Sequence, residues 1–190
     1  TAPVSTAQNY HITGDNPVGP PSERYKRNVA AIRLLHTLEA ENRQAMPEEQ
    51  AVLAQYVGWG GLADCFDERH SRYLELKALL TDTEYDAARA STLTAFFTPP
   101  TVIQAIYQGL ENLSFQTGNI LEPSCGVGSF MGLLPEQMRS SRFTAVELDS
   151  ISGRIAQQLY PEAHIMVQGY ESTGLPDDYF DAAVGNVPFG

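Results

Sequence analysis

Residues 119–130 read Asn-Ile-Leu-Glu-Pro-Ser-Cys-Gly-Val-Gly-Ser-Phe, and this stretch decides the fold. Its pattern predicts a short apolar strand with an acidic residue at its end, then a glycine-rich turn and the start of a helix. In an open α/β sheet, ligands bind where such a strand ends and its helix begins. Glycines in the turn let the backbone approach a ligand closely. A carboxylate at the strand end favours an ammonium group or hydroxyls over a phosphate.

Strands and helices alternate downstream of this stretch, which predicts a parallel sheet. The predicted strands are 119–122, 143–148, 164–167 and 180–184, and the predicted helices are 129–139 and 151–159. Each strand has its polar or glycine residues at the carboxyl end, the ligand-binding edge of such a sheet. The predicted fold class is therefore α/β with four parallel strands.

The residues before the sheet are predicted to be mostly helical. Residues 1–21 hold four of the 12 prolines and are interpreted as an extended arm, followed by a helical N-terminal region over residues 22–93. Apolar spacing predicts helices at 23–41, 47–57 and 68–80, and Ser22 is the candidate N-cap of the first. A fourth helix is predicted from Thr83 as N-cap, across Tyr85 and Ala88, to Leu93.

Two features of the helical region leave alternatives open. The first helix is locally basic, which fits either a solvated helix face or a contact with nucleic-acid phosphates. Its basic residues are Arg24, Lys26, Arg27 and Arg33. The only tryptophan, Trp59, lies among three glycines and is either a structural anchor or a platform for stacking on a base.

A further helix is predicted immediately before the first strand. Thr98 precedes Pro99 and Pro100 and is predicted to cap this helix, since prolines are tolerated in a first turn whose N–H groups are unpaired. The helix runs to Leu113, and its apolar side carries Val102, Ile103, Ile106, Tyr107 and Leu110.

The glycine turn matches the dinucleotide-binding fingerprint at Gly126 and Gly128 but not at its third small residue, which makes a dinucleotide a less favoured ligand. That fingerprint needs a third small residue where Met131 stands, because a long side chain disturbs the helix–strand packing. Glu147, at the end of the second strand, can accept hydrogen bonds from both hydroxyls of a ribose. Glu122 would repel a pyrophosphate but attract a cationic amino acid. S-adenosylmethionine joins adenosine to such an amino acid and is therefore the predicted cofactor.

The remaining positions at this edge are interpreted around the same cofactor. The turn with Gly126 and Gly128 would face its methionine end, and Leu148 would pack on adenine. Gln168 and Gly169 lie where the adenine edge would be read. Cys125 is interpreted as a small packing residue rather than a nucleophile, because it has no evident base partner. No metal site is predicted.

The fourth strand ends in a second chemical motif, Asn186-Val187-Pro188-Phe189. The Asn186 side-chain carbonyl and the Val187 backbone carbonyl can both accept hydrogen bonds from a planar NH2 group and so orient its nitrogen. An activated methyl donor then needs positioning more than a strong base. Phe189 offers a face for stacking a planar substrate, as base-flipping enzymes require.

These motifs together resemble the amino-group DNA methyltransferases. Residues 122–130 are similar to their first motif, and residues 186–189 resemble their Asn-Pro-Pro-Tyr/Phe motif, with Val187 in place of the usual first proline. Phe97 and Thr98, with the two prolines that follow, resemble the segment that closes over the methionine end in the adenine-N6 class. With residues 56–62 the chain looks like the N-terminal methyltransferase part of large methyltransferase–helicase proteins of conjugative elements and phages.

The resemblance implies a Rossmann-like methyltransferase fold and transfer of a methyl group to the N6 amino group of adenine in DNA. Residues 94–190 would be the cofactor-binding half of a seven-stranded domain, so we expect a fragment that can be inactive alone and whose open fourth strand can pair with another copy. The implied cofactor-binding residues are Phe97, Thr98, Glu122, Pro123, Cys125, Gly126, Gly128, Glu147, Leu148, Gln168 and Gly169. The implied catalytic residues are Asn186, Val187, Pro188 and Phe189.

Composition limits the partners and the location. With 12 basic and 23 acidic residues the net charge is −11, so DNA is expected to be held mainly by regions outside this chain. Without an apolar run of about 18 residues or a signal pattern, no membrane partner is expected. Two cysteines form neither a disulfide framework nor a zinc site, and a cytoplasmic location is expected.

Two other functional hypotheses stay open at this point. The Asn-x-Pro-Phe pattern also serves methylation of a protein glutamine or of an RNA guanine amino group. Alternatively, the chain is a non-catalytic, methyltransferase-like module that binds DNA or guides a helicase. Intact Glu122, Glu147 and Asn186 argue against the non-catalytic hypothesis.

Overall fold

The structure is a computed structural model, and it describes residues 8–14, 19–93 and 97–187. Its helices are α1 (Pro21–Ala40), α2 (Pro47–Leu53), α3 (Tyr73–Leu79), α4 (Asp82–Ala90), α5 (Pro100–Asn112), α6 (Ser129–Gly132) and α7 (Ser150–Leu159). Its strands are β1 (Asn119–Glu122), β2 (Arg142–Glu147), β3 (His164–Val167) and β4 (Ala182–Ala183). Short 3₁₀ helices lie at Ala63–Phe66, Ser91–Leu93, Glu136–Met138 and Tyr170–Ser172.

The four strands form one parallel sheet in the order β3-β2-β1-β4. This arrangement confirms the predicted Rossmann-like α/β fold. The predicted bounds of β1 and β3 are confirmed, and β2 lies one residue earlier than predicted. β4 is shorter than the predicted 180–184, although the Asp181 N–H bonds to Asn119 O and the Val184 N–H to Leu121 O at its two ends.

All three predicted side-chain caps are wrong. α1 begins at Pro21 with Pro20 as N-cap, so Ser22 lies inside the helix. α5 likewise begins at Pro100 after Pro99, and Thr98 does not cap it. In both helices proline supplies the start, because its fixed φ and missing N–H suit the first turn.

The helix that Thr83 was predicted to cap begins instead after Thr81. Thr81 Oγ1 accepts a hydrogen bond from the Glu84 N–H, and the Glu84 carboxylate accepts one from the Thr81 N–H. This reciprocal pair is a capping box of the Thr-x-x-Glu type. The α-helix ends at Ala90, and Leu93 is 79% exposed in the 3₁₀ turn that follows.

Other predicted helices are shorter in the structure. The helices predicted at 47–57 and 68–80 span only Pro47–Leu53 and Tyr73–Leu79. The helix predicted at 129–139 is a single turn, α6, because Pro135 has no N–H to continue the helix. On α5, Val102 is exposed, whereas Ile103 and Tyr107 are buried as predicted for the apolar side.

The helical region and the sheet share one hydrophobic core. That core runs from Tyr25 on α1 to Val184 beside β4. Trp59 is 1% exposed and makes edge-on ring contacts with Tyr25 and Phe66, so the structure favours the anchor over the stacking platform. The predicted division at residue 94 stays a prediction, but the core continues across it.

The described part of the N-terminal arm lies on the body. The Tyr10 N–H bonds to Leu159 O at 2.7 Å, and the Ile12 N–H bonds to Gly132 O at 2.9 Å. The arm therefore runs along the ends of α6 and α7. Within residues 8–14, 19–93 and 97–187, no helix is both long and apolar enough to cross a membrane.

Arg154 connects α7 to two helices of the N-terminal region. Its guanidinium donates to the Glu39 carboxylate of α1 at 2.9 and 3.0 Å and to the Glu84 carboxylate of α4. Burial works to raise the pKa of Glu84, but the hydrogen bonds from Thr81 and the Arg154 charge outweigh it and hold that pKa below its usual value. Because α7 begins beside the predicted ribose site, this ion-pair network holds that site against the helices.

We expect Arg154→Met to lower the free energy of unfolding by about 1–2 kcal/mol at neutral pH, because Glu84 keeps its charge and loses a cation. The lowered pKa of Glu84 contributes stability above about pH 5 that is lost as the pH falls. The difference between the proteins, measured by urea unfolding, should therefore shrink in acid. Arg139→Met removes an exposed cation paired with Glu136 and should change stability by less than about 0.5 kcal/mol.

Candidate active site

The ends of three neighbouring strands meet at the carboxyl edge of the sheet. β1 ends at Glu122 and β2 ends at Glu147, in parallel register. After β4, a Cβ built on Gly185 would lie 3.5 Å from Cδ of Pro123 and 3.9 Å from Cγ of Glu122. The segment that leads into Asn186 therefore lies directly beside the start of the glycine turn.

The turn itself depends on two left-handed glycines. Gly126 has a φ of +56° and Gly128 has a φ of +84°, a conformation that residues with a Cβ adopt rarely. A Cβ on Gly128 would also overlap the ring of Tyr160, which closes the turn from below. Helix α6 begins at once after this residue, so the turn and the helix share one fixed geometry.

Glu147 binds the glycine turn to the end of its own strand. One carboxylate oxygen accepts a hydrogen bond from the Gly126 N–H at 2.6 Å, and the other accepts one from the Asp149 N–H at 2.8 Å. Burial raises the pKa of Glu147, although these N–H groups act in the opposite direction. Each oxygen keeps a second lone pair with which it can accept a further hydrogen bond.

Glu122 is a buried carboxylate with an unsatisfied oxygen. Its side chain is 1% exposed, and its Oε2 has no hydrogen-bond partner among the described residues. Burial, together with the nearby charge of Glu147, raises the pKa of Glu122 well above its usual value. A buried acceptor without a partner is costly, so a donor, above all a cationic one, fits this position.

Cys125 has the surroundings of a packing residue. It is 5% exposed, and burial, reinforced by the charges of Glu122 and Glu147, raises the pKa of its thiol. A thiol in these surroundings stays protonated and is a poor nucleophile. Its backbone N–H bonds to Val146 O at 3.0 Å, which fastens the turn to β2.

Phe97 lies next to the glycine turn, as the resemblance implies. A Cβ built on Gly126 would be 3.5 Å from Cε1 of the Phe97 ring, so this ring lies over the turn. Thr98 is half-buried just before α5. Tyr107 on α5 donates a hydrogen bond from its hydroxyl to Phe130 O at 2.7 Å, which connects this helix to α6.

The residues predicted to contact adenine lie further along the edge. Leu148 is 76% exposed and offers an open apolar surface beside Glu147. The Gln168 side-chain amide donates to Ser172 O at 3.0 Å, and Gly169 begins the short 3₁₀ turn there. A Cβ on Gly169 would meet the exposed Glu171 carboxylate, which lies against this turn.

The second motif is described only in part. Asn186 and Val187 are both exposed after β4, and Val187 is 50% exposed. Pro188 and Phe189 lie outside the described residues. The structure therefore brings the Asn186 segment to the same edge as Glu122 and contains no contact that assigns it a role.

Three residues support this edge although their role was not predicted from the sequence. Asp149 caps α7 through the Ser152 N–H at 2.9 Å while its own N–H holds Glu147. The signal was present, since an aspartate directly before an apolar helical repeat is an N-cap pattern. Tyr160 under Gly128 and the fully buried Tyr56 have no such signal, because only the fold brings them to this edge.

Tyr56 joins the glycine-flanked tryptophan stretch to this edge. Burial and the nearby charge of Asp149 raise the pKa of Tyr56 well above its usual value, so the phenol stays neutral.

Among the residues that the structure covers, no group of three or more His, Cys, Asp or Glu side chains could hold a metal ion.

Comparison with known proteins identifies one relative that matches most of the chain and two that match half of it. Defense against restriction protein B of Escherichia phage P1 is 30% identical over 169 residues, which are 88% of this chain and 6% of that protein. Type II methyltransferase M.CvrRI of Paramecium bursaria Chlorella virus XZ-6E is 33% identical over 94 residues, 50% of this chain and 24% of that protein. Modification methylase CviBIII of Paramecium bursaria Chlorella virus NC1A is 32% identical over 95 residues, 50% of this chain and 25% of that protein.

No protein-family model matches the chain. A crystal structure from Listeria monocytogenes, assigned to the class I S-adenosylmethionine-dependent methyltransferases, has a TM-score of 0.44 and 14% identity over 89% of this chain and 60% of that one. That likeness is too low to carry an argument. The chain spans only a small part of the phage protein and about a quarter of each viral enzyme. Over half of its length the chain is homologous to two viral methyltransferases, and its parallel sheet has a Rossmann-like fold.

Proposed function

We propose that this chain is the cofactor-binding part of an S-adenosylmethionine-dependent DNA methyltransferase that modifies the N6 amino group of adenine. The observation that carries the proposal is the buried Glu122 carboxylate beside a left-handed glycine turn, whose Oε2 has no hydrogen-bond partner within residues 8–14, 19–93 and 97–187. The homologous viral proteins are named as a type II methyltransferase and a modification methylase, which supports methyl-transfer chemistry here.

The methionine end of the cofactor fits the Glu122 side of the edge. The unpartnered Oε2 would accept a hydrogen bond from the ammonium group, and an ion pair of this kind is strengthened by the low local dielectric. Gly126 has no side chain to block a close approach, and the Phe97 ring lies over the turn. Pro123 and Cys125 shape the turn without charge of their own.

The adenosine end fits the Glu147 side of the edge. Both Glu147 oxygens already accept backbone N–H groups, which fixes the carboxylate in place, and their remaining lone pairs would accept the ribose hydroxyls. Leu148 offers an apolar surface for adenine, and Gln168 and Gly169 lie beyond it. These residues together match a cofactor with a cationic end and a ribose.

In this proposal the bound cofactor supplies an activated methyl group, and the chain supplies position. The Asn186 side chain and the Val187 carbonyl would accept hydrogen bonds from the adenine amino group and direct its nitrogen toward the methyl group. Holding two reactants in this way supplies much of a rate enhancement without a strong base. Pro188 and Phe189 would complete this loop, with Phe189 stacked on the adenine.

The wider assignment also remains a proposal. Similarity to the phage protein over 88% of the chain supports an origin on a mobile element. Association with a helicase and a cytoplasmic location stay predictions.

The substrate is tested by transfer of an isotope label from S-adenosylmethionine by the complete protein, followed by nucleoside analysis, which distinguishes DNA from RNA and protein as the acceptor. Label in N6-methyladenine of DNA supports the proposal, and label in RNA or protein contradicts it.

We expect Glu122→Gln to stabilise the cofactor-free chain and to weaken cofactor binding. A carboxyl group whose pKa is raised on folding favours the folded state at low pH, and this contribution is lost as the pH rises through the raised pKa. At pH 8 the glutamine variant should therefore melt about 2–4 °C higher, which corresponds to about 1 kcal/mol. Its affinity for S-adenosylmethionine should fall about 10–100-fold, because a charge-assisted hydrogen bond is lost.

Calorimetry in buffers of different ionisation enthalpy extends this test. If the ammonium group binds ionised Glu122, then wild-type binding releases a proton and the glutamine variant releases none. A glutamine variant that melts lower and binds the cofactor as tightly as wild type would show that Glu122 is an ordinary core residue.

We expect Glu147→Ala to reduce affinity for S-adenosylmethionine at least about tenfold, because two ribose hydroxyls lose their acceptor. Isothermal titration measures the affinity, and a melting curve checks that the turn still folds without the Gly126 contact. Glu171→Ala removes a nearby carboxylate and should bind as wild type does. Equal affinities for wild type and Glu147→Ala would contradict the ribose assignment.

We expect Asn186→Ala in the complete protein to lower kcat for methyl transfer about 100-fold or more while cofactor affinity changes less than about twofold. The exposed Asn112 at the end of α5 is the matched control, and Asn112→Ala should keep full activity. Unchanged DNA methylation by Asn186→Ala would refute the catalytic assignment and favour the non-catalytic hypothesis.

A further inference from the structure

A cationic groove lies between α1 and α3, and its lining contains none of the carboxylates of the candidate active site. Its volume is about 360 Å³, and its walls carry Lys26, Arg33 and Arg72 with the single carboxylate Glu75 around the ring of Tyr25. Three cations and one carboxylate give the groove a net charge of +2, whereas the chain carries −11. A groove of this charge in an acidic protein indicates an anionic ligand.

Two of the three cations, Arg72 and Arg33, make contacts within the groove. The Arg72 guanidinium lies 4.3 Å from the centre of the Tyr25 ring, stacked over its face. The Tyr25 hydroxyl donates to one oxygen of Glu75 at 2.7 Å, and Arg33 donates to the other at 2.8 Å. Since Glu75 bridges these two residues, it orients Arg33 along the groove rather than cancelling all of its charge.

Lys26 is the most available of these cations. It is exposed, and it has no ion-pair partner within the part of the chain that the structure describes. Lys26 and Arg33 stand seven residues apart on α1, so they lie on one face about 10.5 Å apart along the helix axis. Phosphates of one DNA strand follow at about 3.4 Å along the duplex axis, so the two cations span about three of them.

The charge of the chain is divided in a way that favours this groove. Residues 24–77 contain eight basic and eight acidic side chains and are neutral as a whole. All of the −11 charge therefore belongs to the rest of the chain, which includes the carboxyl edge of the sheet. A polyanion is therefore repelled less by residues 24–77, which carry the groove, than by the remainder of the chain.

We propose that the groove between α1 and α3 binds the phosphodiester backbone of duplex DNA through Lys26, Arg33 and Arg72. The inference rests on the proposed DNA substrate and names a place on this chain that contacts it. The contact is to phosphates, so it holds and orients the duplex without reading its sequence. It supplements the stronger grip expected from regions outside the chain.

The test follows binding of a fluorescent duplex of about 20 base pairs to the chain at salt concentrations between roughly 20 and 200 mM. Each phosphate contact contributes about 0.9 to the slope of log K against log salt concentration. The variant Lys26→Ala/Arg33→Ala should therefore bind more weakly, with a slope smaller by about 1.8. The single variant Lys26→Ala, which leaves the Glu75 contacts intact, should lose about 0.9.

The matched control is Arg89→Ala/Arg142→Ala, which removes two exposed cations outside the groove. Its net charge equals that of the groove variant, so an effect of overall charge would appear in both. Equal slopes for the two double variants, or the absence of saturable binding by wild type, would overturn the proposal. Inorganic phosphate and an RNA duplex are further probes, and saturable binding of phosphate alone or tighter binding of RNA would overturn the assignment to DNA.

Calorimetry with S-adenosylmethionine distinguishes this proposal from the proposed function. The groove variants should bind the cofactor with unchanged affinity, because no groove residue lines the carboxyl edge. If the groove variants bind both the cofactor and the duplex as wild type does, the DNA-binding role of the groove is contradicted and the proposed enzyme function is unaffected. Loss of cofactor binding by Glu147→Ala with an unchanged groove effect would show that the two sites are independent.

Discussion

The candidate site depends on one carboxylate that holds two backbone segments together. Glu147 accepts the N–H of Gly126 from the turn after β1 and the N–H of Asp149 at the start of α7. The turn is thereby fixed relative to α7, and α7 is fixed to α1 and α4 through Arg154. The geometry of the carboxyl edge is consequently set by residues that lie between Glu39 and Arg154 in the sequence.

Two carboxylates at one edge also create an electrostatic conflict. Glu122 and Glu147 end neighbouring strands, and the negative charge of Glu147 adds to the burial that raises the pKa of Glu122. In the part of the chain that the structure describes, no hydrogen-bond donor satisfies Oε2 of Glu122. Such a pair disfavours the ligand-free fold at neutral pH, and a cationic ligand would relieve it. Stability and binding therefore make opposite demands on this position.

The sequence predicted the parts of the fold that follow from local chemistry. The strand, acid and glycine turn at 119–130 predicted the parallel sheet and its carboxyl edge, because glycine conformations and strand periodicity are local. Caps were predicted poorly, since Ser22 and Thr98 compete with prolines that begin the same helices. The fully buried Tyr56 could not be placed, because only long-range packing brings it near Asp149.

The continuous core has a consequence for how this fold can be divided. Side chains from α1, α2 and the Trp59 loop pack in the same cluster as those of α7 and the sheet. A polypeptide that begins near residue 94 would lack the helices that cover α7. The apolar side chains of α7 would then be open to water, and Arg154 would lose its partner Glu84. Transplanting the sheet alone into another protein would therefore carry an uncovered apolar surface. The helical segment is therefore part of the core of this Rossmann-like fold rather than an appendage to it.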